Sequence, residues 1–129
     1  MTALANYAEN LLIDWMLTAG AATRPTAWYL ALHTADPTET GATGELSGNG
    51  YARQAIAFDA ASSGATANSG QITFGPNTGS NWGTVTHSSV WTASTSGNCL
   101  FKGALTASKS IAVGDSLIFA IGDVDFSLD

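Results

Sequence analysis

The stretch 28–41 constrains the fold more than any other part of the chain. It begins as a β-strand, because aromatic and aliphatic residues form a short run in which Leu30 and Leu32 share one face. The strand pattern ends at Pro37, since proline cannot donate to a sheet ladder and favours an extended residue before it. A polar loop over residues 34–50, rich in Gly, Thr and Ser, follows before the next strand pattern. The rest of the chain is therefore expected to add strands to this one.

Short strand patterns separated by turn signals continue to the end of the chain. They lie at 51–58, 71–74, 82–93, 98–105, 108–113, 116–121 and 124–129. The segments 82–93 and 98–105 are predicted to pair as a hairpin, and 62–70 is small and polar and is interpreted as a loop. Frequent turns between short strands indicate a mainly β fold, an antiparallel β-sandwich or jelly roll over residues 28–129, and not a βαβ fold.

Residues 2–19 are predicted to form the one convincing helix. Its apolar residues recur at three- and four-residue spacing and make one stripe: Leu4, Tyr7, Leu11, Leu12, Trp15 and Met16. Thr2 is predicted to cap the start of the helix, and Gly20 fits the position just past its end. A stripe this large must lie against the protein's own sheet or against another subunit.

Length and charge limit the classes of protein that fit. The 129 residues are expected to form a single domain over 1–129. Only 11 % of the residues are charged, so the surface is covered by small and polar residues, which suits contacts within a particle. The net charge is −6, and the four cations are scattered at Arg24, Arg53, Lys102 and Lys109. Nucleic acid and anionic membrane are therefore not expected as partners.

Other composition signals are negative. A single cysteine, Cys99, excludes an intrachain disulfide framework and the usual cysteine zinc sites, and it is interpreted as a small buried hydrophobe. We expect no secretory signal, because no charged segment precedes an apolar core at the N-terminus, and no membrane span, because no apolar run is long enough.

Two histidines on predicted strands are the main candidates for chemistry. His33 and His87, with Asp36 near the first, could form a metal site or an acid–base pair. The favoured alternative is that each imidazole hydrogen-bonds across the sheet or to a loop backbone, because no third ligand has suitable spacing. There is also no Gly-x-Ser-x-Gly elbow. The sequence thus predicts no enzyme, with no catalytic residue, cofactor or metal ligand.

The acidic residues of the loop allow two interpretations. Asp36, Glu39 and Glu45 could supply oxygen ligands to calcium, but their spacing does not match an EF-hand loop. Solvated carboxylates are the favoured interpretation. Glu45 and Arg53 flank the return of the loop and are expected to pair, which would pin that return.

Four aromatic residues could act together. Trp28, Tyr51, Trp82 and Trp91 could form a platform for carbohydrate, as a receptor-binding tip would need. A β-sandwich core or a seam between subunits needs aromatic residues as well, and that interpretation is favoured.

Several runs of the sequence resemble virion proteins of tailed bacteriophages. The runs are 30–41, 45–54, 72–74, 82–87 and 101–109, in an order and spacing that cover most of the chain from residue 28 onward. The resemblance implies a phage virion protein, assembled in the host cytoplasm. Members of this family are commonly labelled tail-fibre proteins, and related small β-rich chains decorate, or cement, the capsid. Residues 88–91 are more polar than the resemblance implies, so this strand is expected at an edge or facing a partner.

The expected function is therefore structural and depends on association. A capsid decoration protein is favoured, because the chain is short, reads as complete in itself and lacks a long repetitive shaft. A tail-fibre or receptor-binding module is the alternative. The expected partners are further copies, as a homotrimer, and the phage major capsid protein or other virion proteins. The predicted subunit contacts lie on the helix and the loop: Leu4, Tyr7, Leu11, Leu12, Trp15, Asp36, Pro37, Glu39, Glu45 and Arg53.

Overall fold

Antiparallel strand pairing organises this chain. The computed structural model describes residues 3–80 and 82–128. In chain order the elements are β1 (Ala3–Leu4), α1 (Asn6–Leu17), β2 (Tyr29–His33), β3 (Gln54–Ala55), β4 (Ala65–Ala67), β5 (Ile72–Phe74), β6 (Thr84–Trp91), β7 (Cys99–Ser110), β8 (Leu117–Phe119) and β9 (Asp125–Ser127). The predicted mainly β, antiparallel fold with one N-terminal helix is confirmed.

The largest sheet has five strands in the order β1-β7-β6-β2-β3. Its longest pairing joins β6 to β7, which confirms the predicted hairpin. On the other side of β6, β2 pairs with it from Tyr29 opposite Trp91 to His33 opposite His87. The two histidines are therefore cross-strand neighbours on the same face of the sheet.

The expectation that residues 88–91 form an edge strand is wrong. They belong to β6, which is hydrogen-bonded to β2 on one side and to β7 on the other, and all four residues are buried. Polar residues are tolerated here because their hydroxyl groups find partners inside the fold; the Oγ atom of Ser89 interacts with both His33 and Trp91.

A second layer covers one face of this sheet. It consists of two antiparallel pairs, β4 with β9 and β5 with β8. Aromatic rings join the layers, and the centroids of Phe101 and Phe126 lie 4.4 Å apart. Leu30, Leu32 and Val90 point into this core and are completely buried. Burying such a side chain contributes about 1.5–3 kcal/mol each. The jelly-roll connectivity remains a prediction.

The helix is shorter than the predicted 2–19. It begins at Asn6, because Ala3 and Leu4 pair with β7 as an extended strand. Ala5 occupies the N-cap position without a side-chain cap, and the predicted cap at Thr2 lies outside the described residues.

The C-terminal end of α1 also differs from the expectation. The helix ends at Leu17 with Thr18 as its C-cap, so Gly20 is not the residue directly past the end. The Thr18 hydroxyl donates to Oδ1 of Asp14 at 3.1 Å, and the Gly20 amide donates to that hydroxyl.

Two strand predictions need correction. Residues 62–70 are not a loop throughout, because Ala65–Ala67 pair with β9. Of 51–58, only Gln54–Ala55 pair as a strand, and Phe58 makes an isolated bridge to Asn68. Both differences arise because pairing depends on a partner strand far away in the chain, which local composition does not reveal.

Candidate functional site

His33 lies on the face of the five-stranded sheet opposite the second layer and is completely buried. Its Nδ1 is 2.7 Å from the Thr43 carbonyl oxygen, which can only accept, so Nδ1 carries the proton. Its Nε2 is 2.7 Å from Oγ of Ser89, which also accepts from Nε1–H of Trp91 at 2.7 Å. The Ser89 hydroxyl therefore donates to Nε2 of a neutral imidazole. Burial lowers the pKa of His33 below its ordinary value of 6.5, which agrees with this assignment.

The second histidine is also engaged. Nδ1 of His87 lies 2.8 Å from the hydroxyl of Thr86, and the ring is half-buried. The interpretation that each imidazole hydrogen-bonds across the sheet or to a loop backbone is confirmed for His33, whose partners are Ser89 and the Thr43 carbonyl. For His87 the partner is instead the hydroxyl of its neighbour on the same strand. Over residues 3–80 and 82–128, no three side chains of the His, Cys, Asp and Glu types are grouped so that they could hold a metal ion.

The return of the loop is fixed by Arg53, and the predicted pairing with Glu45 is confirmed. Two parallel contacts join them, Nε to Oε1 at 2.7 Å and Nη2 to Oε2 at 2.8 Å. Nη1 donates to the carbonyl oxygens of Ala93 and Ser96, and the guanidinium stacks over the Trp91 ring at 3.9 Å. The charge and hydrogen bonds of Arg53 outweigh the effect of burial, so the pKa of Glu45 lies below its ordinary value.

The beginning of the loop is also tied to its own sheet. Nζ of Lys102 on β7 lies 3.0 Å from Asp36 and 3.7 Å from Glu39. The Glu39 carbonyl accepts from the amide of Asn6, and Pro37 is fully buried. The loop therefore lies across the sheet and does not project from the protomer.

The predicted loop contacts thus fall into two groups. Pro37, Glu45 and Arg53 are taken up by contacts within the chain. Asp36 and Glu39 keep more than half of their side-chain surface in solvent while they face Lys102. The calcium interpretation gains no support, because these acids pair with cations of the same chain.

The four aromatic residues belong to the core. Trp82 and Trp91 are buried, and Trp28 and Tyr51 pack against the core. The Tyr51 ring meets Trp82 edge to face at 6.0 Å, and its hydroxyl donates to Glu45. The core interpretation is confirmed, and a carbohydrate platform built from these residues is wrong.

The surface of α1, unlike the loop and the aromatic residues, leaves large apolar side chains exposed. Within the helix only Ala8 is buried. Four residues near its end are largely exposed: Ile13 at 49 %, Trp15 at 71 %, Met16 at 57 % and Leu17 at 76 %. The sequence pattern identified the apolar stripe from Leu4 to Met16 but did not include Ile13 and Leu17, which lie outside that stripe. Their i, i+4 spacing could have shown that they are neighbours on the helix surface.

Next to α1 lies an open apolar groove of about 410 Å³. The α1 groove, as we call it, is lined by Leu4, Ala8, Leu11, Leu12, Trp15, Ala22, Arg24, Pro25 and Leu128. Four of the five predicted helix contacts therefore line it, and the fifth, Tyr7, is 38 % exposed elsewhere on the helix. Among the described residues that line it, Arg24 is the one that carries a charge.

No helix in the described part of the chain combines the length and the apolar character that a membrane span requires.

Comparison with protein families identifies a relationship over most of the chain. Residues 3–127 match the family described as podophage GP4 fiber I protein gp80. A search of curated proteins finds no match. The family match covers almost the whole chain and confirms the resemblance to tailed-phage virion proteins. The chain therefore belongs to this fibre-labelled family of tailed-phage structural proteins, whose place is the virion.

Proposed function

We propose that the protein is a non-catalytic building block of the virion that works by binding its neighbours. The observation that carries this proposal is the apolar surface of α1. Trp15 and Leu17 each expose more than two thirds of their surface beside an open apolar groove. Apolar patches of more than a few hundred Å² mark interaction sites on soluble proteins.

The state of the reactive groups supports a role without catalysis. Both nitrogens of His33 are used in internal hydrogen bonds, and Glu45 is held by Arg53 and Tyr51. Burial raises the pKa of the Cys99 thiol to about 11, so little of the nucleophilic thiolate exists at neutral pH. These three groups are therefore not available as a general base or a nucleophile.

The partners in this proposal are further copies of the chain and other virion proteins. Homo-oligomers usually have closed symmetry, and three copies would suit either a fibre or a lattice position. The major capsid protein is the expected partner in the lattice case.

Two places in the virion fit this proposal. A place in a tail fibre agrees with the label of the family. Capsid decoration is the other candidate. It is supported by the architecture of residues 3–80 and 82–128, which form one layered β fold without a repeated shaft. Decoration would add contacts across neighbouring capsomers and resist internal pressure.

Quantitative mass spectrometry of purified virions, with immunogold labelling, tests both places. A fibre component is expected in few copies with label at the tail, and deleting it should abolish adsorption. A decoration protein is expected in many copies with label on the head, and deleting it should make heads sensitive to heat. Absence of the protein from purified virions would contradict the proposed function in either form.

A further inference from the structure

We infer that the end of α1 from one protomer inserts into the α1 groove of a second copy, so that copies join head to tail in a closed ring. The inserted part, the α1 knob, consists of Ile13, Met16 and Leu17. This inference rests on the proposed function, because it specifies the partner and the contact for self-association.

The shape of the apolar surface argues for insertion. Successive residues of an α-helix point about 100° apart, so Ile13, Met16 and Leu17 lie on one stripe about 100° wide. Ala8, the buried residue of α1, and Trp15, which lines the groove, lie on the opposite side of the helix. A stripe of this width is what a helix buries when it packs on a partner, and the protomer's own sheet does not cover it.

The groove provides a matching site on the same chain. It has a volume of about 410 Å³ and an almost entirely apolar lining. That volume lies within the range of pockets that enclose ligands with several apolar groups. The groove is lined by residues other than the three of the α1 knob, so a protomer does not fill its groove with its own knob. A second copy brings the knob that the groove lacks.

Charge complementarity favours a helix C-terminus as the occupant. The last carbonyl groups of a helix carry partial negative charge, and a nearby cation stabilises them. The last turn of α1 has no basic residue. Arg24 lines the groove and takes part in none of the ion pairs found within residues 3–80 and 82–128. When the knob of a second copy enters, Arg24 meets the negative end of that helix.

The contact pairs two different surfaces, so it is heterologous, and it closes into a ring when the rotation between copies permits. The exposed parts of Ile13, Trp15, Met16 and Leu17 together make a patch of roughly a few hundred Å². A stable interface buries about 800 Å² on each partner. The groove wall supplies further area on the opposite side of α1.

The test uses the purified full chain in sedimentation velocity and native mass spectrometry at micromolar concentration. Wild type is expected to be a closed oligomer. Leu17→Glu removes the knob and Ala22→Trp fills the groove, so each variant is expected to be monomeric. Arg24→Gln is expected to raise the dissociation constant about tenfold. Val113→Glu, which alters an exposed apolar residue away from α1, is the matched control and should keep the wild-type mass.

Mixing the two monomeric variants gives the decisive result. Leu17→Glu keeps an intact groove and Ala22→Trp keeps an intact knob, so an equimolar mixture should form a dimer that cannot grow. Circular dichroism checks that each variant is folded.

Three results would overturn the inference: a mixture that remains monomeric, a wild type that is monomeric at all concentrations, or a monomer whose groove binds a different virion protein. A monomeric wild type that is still found in virions would leave the proposed function standing.

Discussion

Single side chains hold the loop of this protein on its sheet. Arg53 joins Glu45, two backbone carbonyl groups and the Trp91 ring, and its side chain is only 7 % exposed. His33 holds the middle of the loop through the Thr43 carbonyl. His33 and Glu45 are of residue types that act as catalysts in other proteins. Here their polar side-chain atoms are hydrogen-bonded within the fold and hold the loop in place.

Replacing Glu45 tests the Arg53 contact. Glu45→Gln leaves the buried guanidinium without its carboxylate, so the free energy of unfolding should fall by about 2–4 kcal/mol. Urea denaturation at neutral pH measures this. Asp36→Asn is the control, because it removes a largely exposed carboxylate from Lys102 and should have a smaller effect. Equal losses in the two variants would contradict the assignment.

Acid should weaken the fold through His33. The folded chain keeps this imidazole neutral, while the unfolded chain takes up a proton as pH falls below about 6.5. The free energy of unfolding should therefore fall as pH drops from 6.5 through the lower pKa of the folded state. The contribution of ionised Glu45 to the free energy of unfolding is lost only when the pH falls below its ordinary pKa of 4.5.

The pH dependence can be assigned with one variant. His33→Gln should be less stable at neutral pH but should show a shallower loss between about pH 7 and pH 5.5 in urea denaturation. An unchanged slope in this variant would show that other groups cause the acid sensitivity.

At the scale of elements, the loop after β2 is part of the folded layers. Gly41 is buried in it with φ +74°, and a Cβ atom at this position would lie 2.6 Å from Cζ2 of Trp91 and 2.7 Å from Cβ of Cys99. The loop therefore packs directly on the β6–β7 hairpin and shields the Cys99 thiol.

Gly41→Ala should lower the free energy of unfolding by about 3 kcal/mol or more, since it adds a steric clash to the unfavourable φ. Gly48→Ala is the matched control, because Gly48 has φ +72° but nothing within 4 Å of the added Cβ. It should lose only about 1–2 kcal/mol. Thermal or urea unfolding compares the two, and similar losses would mean that the loop is not packed closely on Trp91.

At the scale of the whole molecule, the loop covers one region of the surface, and α1 leaves another region with exposed apolar side chains. The loop covers the outer face of the sheet near Lys102 and Arg53, while α1 and its groove leave apolar surface in solvent. The net charge of −6 makes copies of the protein repel one another weakly. Copies therefore associate only where a specific contact outweighs this repulsion. Association is therefore expected to use the α1 side.

Self-association should make stability depend on concentration. The thermal midpoint of the wild type should rise over about a hundredfold increase in protein concentration, because only the folded chain binds its copies. Leu17→Glu should show a constant midpoint. Differential scanning fluorimetry across the series checks this, and a constant midpoint for wild type would contradict it.

The sequence by itself determined the features that local patterns encode. The alternating run at Leu30 and Leu32, the turn signals and the apolar spacing from Leu4 to Trp15 predicted β2, the β-rich fold and the helix. The phage family was also accessible, because its motifs are local. The Glu45–Arg53 pair could be predicted because both residues flank one loop.

Only the tertiary structure decided which surfaces are free. It placed Ser89 in a central strand, paired Ala65–Ala67 with β9, laid the loop across the sheet and left Leu17 in solvent. These outcomes depend on contacts between segments far apart in the chain, and the same local pattern is compatible with either a buried or an exposed position. The α1 groove belongs to this class, because its walls come from the helix, the connector at Ala22 and the distant Leu128.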